Sequence, residues 1–323
     1  GGRRFREEPF RRSPSLGRGK GRGRFSRSRT ATREKRSFRP PPPKGFGKGK
    51  AAPSKVQGEL WEQPRSVTGF KTVGDLAPAG TRWSYPLADE SRRTFAGVFP
   101  QALDKPTCER FFQMVKDNTP WVQPVGPIGP IPRKTAWMVT PGCKCTYCYG
   151  KISVDATPYT PWMVEIMQVV MPLCGFPHMS QWPNACNVNI YQDASHTVGW
   201  HTDDEPLFQG RFRDCLIISL SLGETRAFEI SLNWPEGTET TKWRVPVRSG
   251  DLMTMEGMFQ KHYLHRVPKE NRPCGPRINL TWRWIVQHNR DCKAGGVHSV
   301  DQHQVLQPML HQALAAPCGR FQY

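Results

Sequence analysis

The sequence predicts a mainly β protein of the α+β class, a double-sheet jelly roll with supporting helices on one face. Three observations predict this fold. Residues 277–284 alternate strictly between polar and apolar side chains, which is typical of a strand in a sheet. Short apolar or alternating runs dominate the chain after Asn184, and two helical segments precede them.

The first 50 residues differ in composition from the rest of the 323-residue chain. They hold 18 Lys or Arg and 3 Glu, a net charge of +15 out of the formal +19 of the whole chain. Without apolar periodicity, such a segment cannot offset the entropy of ordering, so a disordered basic tail and linker are expected over residues 1–75. Arg/Gly and Arg/Ser tracts typically contact nucleic-acid phosphates; a solubilising or targeting tail with no specific partner is the alternative.

The folded domain is predicted over residues 76–288, with its first element beginning between Leu76 and Phe95. Helices are expected over residues 105–117, where Phe111, Phe112 and Val115 would pack inward, and 161–171, where Pro161 would occupy the first turn. Strands are then expected over residues 188–191, 215–222, 226–231, 243–247, 252–255 and 275–284. Residues 289–323 show no assignable pattern and form an unassigned C-terminal tail.

The strand over residues 277–284 has two chemically different faces. One face carries Ile278, Leu280, Trp282 and Trp284 and suits a core. The other carries Arg277, Asn279, Thr281 and Arg283. A guanidinium stays charged and is costly to bury without an anion, so this face predicts a bound carboxylate or phosphate.

A second motif lies upstream, where His201 and Asp203 share one face of an extended segment and His265 follows after a long gap. Two histidines and one carboxylate form the facial triad that holds non-haem Fe(II) and leaves positions open for O2 and a co-substrate. A polar strand end with an incidental histidine is the ordinary interpretation of His-x-Asp alone. The later histidine and the two-arginine strand favour the iron site.

With these motifs, the chain resembles the AlkB-type Fe(II)/2-oxoglutarate dioxygenases, a family of nucleic-acid demethylases. The resemblance covers about residues 95–286, and its motifs are Asn189-Ile190-Tyr191, His201-Thr202-Asp203-Asp204-Glu205, Ser219-Leu220-Ser221-Leu222-Gly223, His265-Arg266-Val267-Pro268 and Arg277-x-Asn279-x-Thr281-x-Arg283. It implies the double-stranded β-helix fold, with O2 as co-substrate and Fe(II) bound by His201, Asp203 and His265. It also implies that 2-oxoglutarate is bound by Asn189, Tyr191, Arg277, Asn279 and Arg283.

The resemblance implies further residues for the substrate: Tyr147, Tyr149, Asp204, Glu205, Arg133 and Lys134. In the family an aromatic side chain and the first histidine ligand sandwich an extruded base, and Tyr149 matches that aromatic position; packing under the loop is the alternative. Asp204 and Glu205 are expected near the exocyclic groups of the base. Arg133 and Lys134 would meet phosphates, although a solvated charge pair is the commoner meaning of such a run.

One departure from the family bears on the form of the substrate. Members that act on duplex DNA insert an apolar finger ahead of this region, whereas this chain alternates Gly and Pro over residues 125–132. Such a sequence favours a turn-rich hairpin. Single-stranded DNA or RNA is therefore the favoured partner, with duplex DNA as the alternative.

The cysteines bear on cellular location and on a second metal. Ten unevenly spaced cysteines indicate reduced thiols and an intracellular location, which for a nucleic-acid enzyme would be nuclear. Cys143, Cys145 and Cys148 could supply thiolates to zinc, with Cys174 or His178 as the fourth ligand, although a cysteine-rich loop without metal is the favoured interpretation. No run of eighteen apolar residues predicts a membrane span, and a monomer is expected.

The sequence thus leads to one main functional hypothesis and two alternatives. The main hypothesis is oxidative demethylation of bases such as 1-methyladenine or 3-methylcytosine, with formaldehyde released and 2-oxoglutarate converted to succinate and CO2. The same iron and oxoglutarate residues would also support oxidation of a protein side chain or a small molecule. An RNA-binding protein that uses the domain only as a platform is the third reading, and the complete set of metal and arginine residues argues against it.

Overall fold

The computed structural model describes residues 62–234 and 241–296, all within the unit of the chain that begins at Ala51. The predicted basic tail lies outside the described residues up to position 61. The helices are α1 (Arg65–Thr68), α2 (Val73–Leu76), α3 (Lys105–Asn118), α4 (Pro161–Leu173) and α5 (Phe259–His262).

The strands, in chain order, fall into four groups. The first eight are β1 (Ser84–Asp89), β2 (Thr94–Phe99), β3 (Val125–Gly126), β4 (Gly129–Pro130), β5 (Lys134–Val139), β6 (Tyr147–Tyr149), β7 (Ile152–Val154) and β8 (Ala156–Pro158). The others are β9 (Ala185–Tyr191), β10 (Val198–His201), β11 (Ile217–Gly223), β12 (Arg226–Leu232), β13 (Lys242–Val247), β14 (Leu252–Gly257), β15 (Tyr263–Val267) and β16 (Arg277–Arg283).

Two sheets form the body of the domain. The large sheet has the order β1-β2-β14-β11-β16-β9-β5-β8, and the small sheet has the order β10-β15-β12-β13. Neighbouring strands are antiparallel except for β5 and β8 at one edge. The pairs β3–β4 and β6–β7 form separate two-stranded sheets. This double-sheet arrangement with few helices confirms the predicted double-stranded β-helix.

Helices α3 and α4 cover one face of the large sheet. Helix α3 begins at Lys105 because the Asp104 side chain accepts a hydrogen bond from the Thr107 N–H at 2.9 Å. It buries Phe111 and Val115 against the sheet, while Phe112 is only partly buried. Helix α4 has Pro161 in its first turn, as predicted, and buries an apolar side that includes Ile166.

The core splits into two apolar clusters, one on each face of the large sheet. The first joins the helices to the sheet and includes Ile278, Leu280, Trp282 and Trp284, so the predicted alternation is confirmed. The second lies between the two sheets and includes apolar residues of both, such as Ile217 and Ile230. The polar face of β16 therefore points into the space between the sheets.

Strand β16 lies near the centre of the large sheet, hydrogen-bonded to β11 on one side and to β9 on the other. The register places Arg277 opposite Tyr191 and Asn279 opposite Asn189. Side chains directly opposite one another in an antiparallel pair are close neighbours. The two motifs predicted to bind oxoglutarate are thereby joined across one strand pair.

The folded unit is longer at both ends than the predicted range of residues 76–288. Before residue 76, Arg65 forms ion pairs with Asp75 and Glu90, each at 2.9 Å, and Val73 is buried. After residue 288, Cys292 is buried in the cluster between the sheets. Both predicted boundaries are wrong, because four-residue helices and an irregular terminal segment carry no periodic sequence signal.

Membrane spanning can be examined directly in the described part of the chain. None of its helices is both long enough and apolar enough to cross a bilayer.

Glu256 on β14 gives the fold a specific pH dependence. Burial raises its pKa to about 7, although Thr254, the Val73 N–H at 2.8 Å and the Tyr85 hydroxyl at 3.2 Å all donate hydrogen bonds to it. Between pH 4.5, the ordinary value, and about 7, the folded protein holds a proton that the unfolded chain releases. The free energy of unfolding therefore falls as the pH rises through this window, by about 3 kcal/mol in total.

We expect Glu256→Gln to remove most of this fall. Urea unfolding at pH 5 and pH 8 should show a smaller difference in the variant than in the parent protein, by about 2–3 kcal/mol. Glu109→Gln, on the exposed side of α3, is the control and should leave the pH dependence unchanged. An unaltered difference in Glu256→Gln would mean that the carboxyl is not protonated in the fold.

Candidate active site

His201, Asp203 and His265 meet at the open side of the small sheet. Strands β10 and β15 are antiparallel and pair His201 with His265 directly, and Asp203 follows two residues after the end of β10. The His201 Nε2 lies 3.7 Å from Asp203 Oδ1, and the His265 Nε2 lies 4.0 Å from Asp203 Oδ2. All three ligand atoms lie within 4.8 Å of one another, which is the arrangement that a single bound metal ion requires.

Hydrogen bonds fix the orientation of two members of this group. The Nδ1 of His201 lies 2.8 Å from the Gly199 carbonyl, so Nδ1 carries the proton and the Nε2 lone pair faces Asp203. The backbone N–H of Asp203 donates to the Gln260 Oε1 at 2.8 Å. The Nδ1 of His265 is buried and has no hydrogen-bond partner among the described residues.

The protonation states suit a metal site. Burial lowers the pKa of His201 and lowers that of His265 further, so both imidazoles are neutral at neutral pH. Burial alone would raise the pKa of Asp203, but Arg283 and the two histidines outweigh it, and the pKa is lowered. Two neutral imidazoles and one carboxylate are the forms that bind a divalent cation.

Arg283 connects this group to the end of β16. Its Nη2 donates to Asp203 Oδ2 at 2.5 Å, and its Nη1 donates to the Tyr147 hydroxyl at 3.0 Å. The ring of Phe208 lies 5.1 Å from the guanidinium carbon. The Nε of Arg283 is buried and has no partner among the described residues. This donor remains available for an anion beside the metal group.

Arg277 lies at the other end of the same strand face. Its Nη2 donates to the Ser221 hydroxyl at 2.8 Å, and its guanidinium carbon lies 5.4 Å from the centre of the Tyr191 ring. Nε and Nη1 are buried and have no partner among the described residues. Burial lowers its pKa to about 10, so it stays charged at neutral pH. A buried cation with two unpaired donors fits a carboxylate ligand.

The two asparagines between the arginines are already hydrogen-bonded. Asn279 donates to the Ser219 hydroxyl at 2.6 Å and to the Leu220 carbonyl at 3.1 Å. Asn189 accepts from the Arg133 Nε at 3.0 Å. Their amides are therefore held in fixed orientations beside the cavity.

A cavity of about 540 Å³ lies between the two sheets and opens over the metal group. This volume is in the range of small-molecule sites. Its lining contains most of the predicted site residues: His201, Asp203, His265, Asn189, Tyr191, Asn279, Arg283, Tyr147, Tyr149, Asp204, Glu205 and Arg133. Among the described residues, Arg277 and Lys134 do not line it. Arg277 contacts it through Tyr191, whose ring it faces.

The two tyrosines of β6 differ in environment. Tyr147 is buried, stacked on Trp137 with a ring separation of 4.7 Å, and hydrogen-bonded to Arg283. It supports the arginine and is not free to stack on a ligand. Tyr149 is only partly buried, and its hydroxyl has no partner among the described residues. Of the two, Tyr149 offers a ring to a molecule in the cavity.

Arg133 and Lys134 do not form the exposed pair that the sequence suggested. Arg133 is buried, bonds Asn189, and lies 5.8 Å from the centre of the Tyr149 ring. Lys134 begins β5 opposite Ile190 and lies away from the cavity lining. A surface contact of Arg133 with phosphate is therefore excluded by its burial, because that guanidinium faces the cavity.

Asp204 and Glu205 both line the cavity but have different partners. Asp204 forms an ion pair with Arg211 at 3.2 Å. Glu205 has one buried oxygen, Oε2, with no hydrogen-bond partner among the described residues. Burial, together with the nearby charge of Asp203, raises the pKa of Glu205 to about 8. Its carboxyl is therefore mostly protonated at neutral pH and can donate a hydrogen bond.

Sequence reasoning missed two residues beside the metal group. Trp200 lines the cavity, and the Arg266 guanidinium lies 4.6 Å from the centre of its ring. Gln260 holds the Asp203 backbone, as described above. Trp200 could have been found from its place directly before His201, but Gln260 comes from α5, a helix too short for a periodic signal.

The predicted cysteine group is only partly correct. Cys143 and Cys145 are buried together in the loop between β5 and β6. Cys148 is exposed, with its Sγ 3.6 Å from the Ser153 hydroxyl. Cys174 is buried in the cluster under the helices, and His178 is exposed. Cys148 on β6 faces away from the other two because alternate residues of a strand point to opposite sides.

Comparison with known proteins agrees with this geometry. The family model of the 2OG-Fe(II) oxygenase superfamily matches residues 95–283, which is more than half of the chain. The chain belongs to this superfamily, in its AlkB-type branch. As in all its members, the chemistry uses Fe(II), 2-oxoglutarate and O2, and the protein is an oxidoreductase.

Two mammalian relatives illustrate the likeness to AlkB-type dioxygenases. The mouse alpha-ketoglutarate-dependent dioxygenase alkB homolog 3 is 30% identical over 203 residues, which are 60% of this chain and 67% of that protein. The human DNA oxidative demethylase ALKBH2 is 26% identical over 220 residues, which are 64% of this chain and 78% of that protein. The AlkB-type match thus covers the two sheets and the site between them.

Proposed function

We propose that this AlkB-type dioxygenase removes N-methyl groups from bases of nucleic acids, such as 1-methyladenine and 3-methylcytosine. The net reaction converts N–CH3, O2 and 2-oxoglutarate into N–H, formaldehyde, succinate and CO2. The supporting observation is the cavity that joins the His201, Asp203 and His265 group to a partly exposed aromatic ring, Tyr149. A relative named as a DNA oxidative demethylase supports the same substrate class.

In this proposal each end of 2-oxoglutarate has its own arginine. Arg283, next to the metal ligands, takes the carboxylate nearest the iron, and Arg277 takes the far carboxylate with the help of the Tyr191 hydroxyl. Both guanidiniums have buried donors without a partner among the described residues, and each offers a planar bidentate face. When bound, Fe(II) with 2-oxoglutarate supplies activation of O2 for oxidation of a C–H bond.

The protein's own residues hold the base against this centre. Tyr149 stacks on one face of an unstacked base, and the His201 ring lies on the opposite side of the cavity lining. Asp204 and the protonated Glu205 line the same cavity and offer an acceptor and a donor to the polar edge of the base. Arg133 lies beside Tyr149 and keeps the cavity positive toward an anionic strand.

Single-stranded nucleic acid is the form of substrate that we favour. Strands β3 and β4 form a hairpin with two residues in each strand, and Ile128 stands fully exposed at its tip. Gly126 and Gly129 flank the turn without side chains. One isoleucine offers little apolar surface to fill the gap left by a base flipped out of a duplex. A single strand requires no such filling.

The test is turnover on matched oligonucleotides. Single-stranded and duplex DNA and RNA, each with one 1-methyladenine or 3-methylcytosine, are incubated with the full chain, with Fe(II) and 2-oxoglutarate supplied or withheld. The proposal expects oxoglutarate-dependent formaldehyde release and the loss of one CH2 in mass, faster on single strands. Succinate formation without loss of CH2 from any oligonucleotide would exclude these bases and favour a protein or small-molecule substrate.

Tyr149→Ala is expected to lower kcat/KM for the methylated oligonucleotide by about 5- to 150-fold, because base stacking on an aromatic contributes about 1–3 kcal/mol. Tyr149→Phe is the matched control, since the hydroxyl has no partner among the described residues and the ring is kept. Uncoupled succinate formation should be similar in all three proteins. Equal activity of Tyr149→Ala and the parent protein would remove Tyr149 from the base site.

A further inference from the structure

A second group of metal-binding side chains lies outside the active site. Cys143 and Cys145 come from the loop between β5 and β6, and His288 and Cys292 come from the segment after β16. Their ligand atoms all lie within 4.8 Å of one another. The sequence spacing is Cys-x-Cys in the first segment and His-x3-Cys in the second. The two segments are joined only by the fold.

The distances match a tetrahedral site. With Zn–S bonds of about 2.3 Å and a Zn–N bond of about 2.0–2.1 Å, a regular tetrahedron has edges of about 3.8 Å between sulfurs and about 3.5 Å between sulfur and nitrogen. The Sγ atoms of Cys143 and Cys292 are 3.7 Å apart. The Nδ1 of His288 lies 3.7, 3.4 and 3.4 Å from the Sγ atoms of Cys143, Cys145 and Cys292.

These separations do not fit the other common fates of clustered cysteines. A disulfide needs sulfurs about 2.05 Å apart, and all of the cysteines in the group are free. Ordinary apolar packing of thiols would not aim an imidazole nitrogen at three sulfurs together. We therefore read the group as a ligand set arranged around one point.

The surroundings of the sulfurs also suit thiolates. The backbone N–H of Lys144 points at Cys292 Sγ from 3.4 Å, and that of Asn289 points at Cys145 Sγ from 3.3 Å. Each segment thus donates to a sulfur of the other. Such outer hydrogen bonds orient and stabilise charged ligands of a metal. The group is also shielded, since all three cysteines are buried.

We propose that Cys143, Cys145, His288 and Cys292 bind one structural zinc ion. Three thiolates and one imidazole leave no open position, so the ion takes no part in oxidation. Soft thiolates select zinc, whereas the histidine and carboxylate ligands of the active site suit Fe(II). The chain would hold two different metals at two separate sites.

The position of the site indicates what the zinc would do. The Trp137 indole donates to the Cys145 carbonyl at 2.8 Å and stacks on Tyr147, which accepts from Arg283. On the other side, the Val286 N–H donates to the Leu207 carbonyl at 2.9 Å. The zinc would fasten the segment after β16 to the loop that leads into β6, and so hold Tyr147 and Tyr149 over the cavity.

The test is the metal content of the full chain, purified without added metal and measured by mass spectrometry of the elements. The parent protein and Cys148→Ser, which changes the nearby exposed cysteine, should each retain about one zinc per chain. Cys145→Ser and His288→Ala should lose at least about 10-fold in zinc affinity. Asp203→Ala should lose iron and keep zinc, which separates the two sites.

A spectroscopic measurement on the parent protein covers the case in which the cysteine variants do not fold. Replacing zinc by Co²⁺ should give the intense visible bands of tetrahedral cobalt and a thiolate-to-cobalt band in the near ultraviolet. A parent protein that retains no zinc would overturn the proposal. So would cobalt bound without thiolate bands, or zinc retained in Cys145→Ser and His288→Ala.

Discussion

Asp203→Ala should abolish both oxidation of substrate and uncoupled conversion of 2-oxoglutarate to succinate. The variant removes the only carboxylate of the group formed with His201 and His265 and leaves Arg283 without its 2.5 Å partner. A buried arginine beside two imidazoles repels a divalent cation, so the site changes from one that attracts Fe(II) to one that excludes it. Succinate formation and calorimetric titration with Fe(II) under anaerobic conditions measure the two effects.

Asp204→Asn provides the matched control for that prediction. It removes the neighbouring carboxylate, whose partner is Arg211 and not a member of the metal group. Iron affinity should change little in Asp204→Asn, whereas substrate turnover is free to fall because Asp204 lines the cavity. If Asp203→Ala still bound Fe(II) as tightly as Asp204→Asn does, the assignment of Asp203 as a metal ligand would be wrong.

The second large effect concerns stability. Arg283→Met should destabilise the metal-free protein by about 3–5 kcal/mol, because it leaves the buried Asp203 carboxylate without its cation. Loss of 2-oxoglutarate binding should accompany it. Urea unfolding of the metal-free protein gives the first quantity, and equilibrium titration with 2-oxoglutarate of the iron-loaded protein under anaerobic conditions gives the second.

A double variant separates charge from packing. Asp203→Asn with Arg283→Met removes both charges, so it should recover part of the lost stability. Arg283 also lies against the rings of Tyr147 and Phe208. If the double variant were as unstable as Arg283→Met alone, the arginine would act mainly through these contacts and the buried ion pair would be a minor contribution.

The sequence was most informative where a single strand carried the chemistry. Alternation over residues 277–284 assigned both faces of β16 correctly, and His-x-Asp followed by a distant histidine identified the metal group. Local periodicity records which way a side chain points. It does not record which other strand lies opposite, so the direct pairing of His201 with His265 became visible only in the fold.

The failures have the same physical origin. Arg133 looked like a surface charge because its local sequence is charged, but Asn189 on a strand that lies next to it only in the sheet holds it inside. His288 and Cys292 lay in a stretch without pattern, and they meet Cys143 and Cys145 across more than 140 positions of the chain. Contacts at such separation depend on the tertiary fold and leave no short-range signature.

The placement of β16 and of β6 divides the domain into parts that should exchange backbone hydrogens at different rates. Strand β16 is bonded on both sides within an eight-stranded sheet, so its amides open only with the whole domain. Strand β6 has three residues and pairs with β7 alone, so its amides should open locally and much faster. Sequence changes in this ribbon can therefore reshape the entrance to the cavity while the strand that carries the oxidising site stays intact. Divergence in substrate range, on this basis, requires no loss of the underlying reaction.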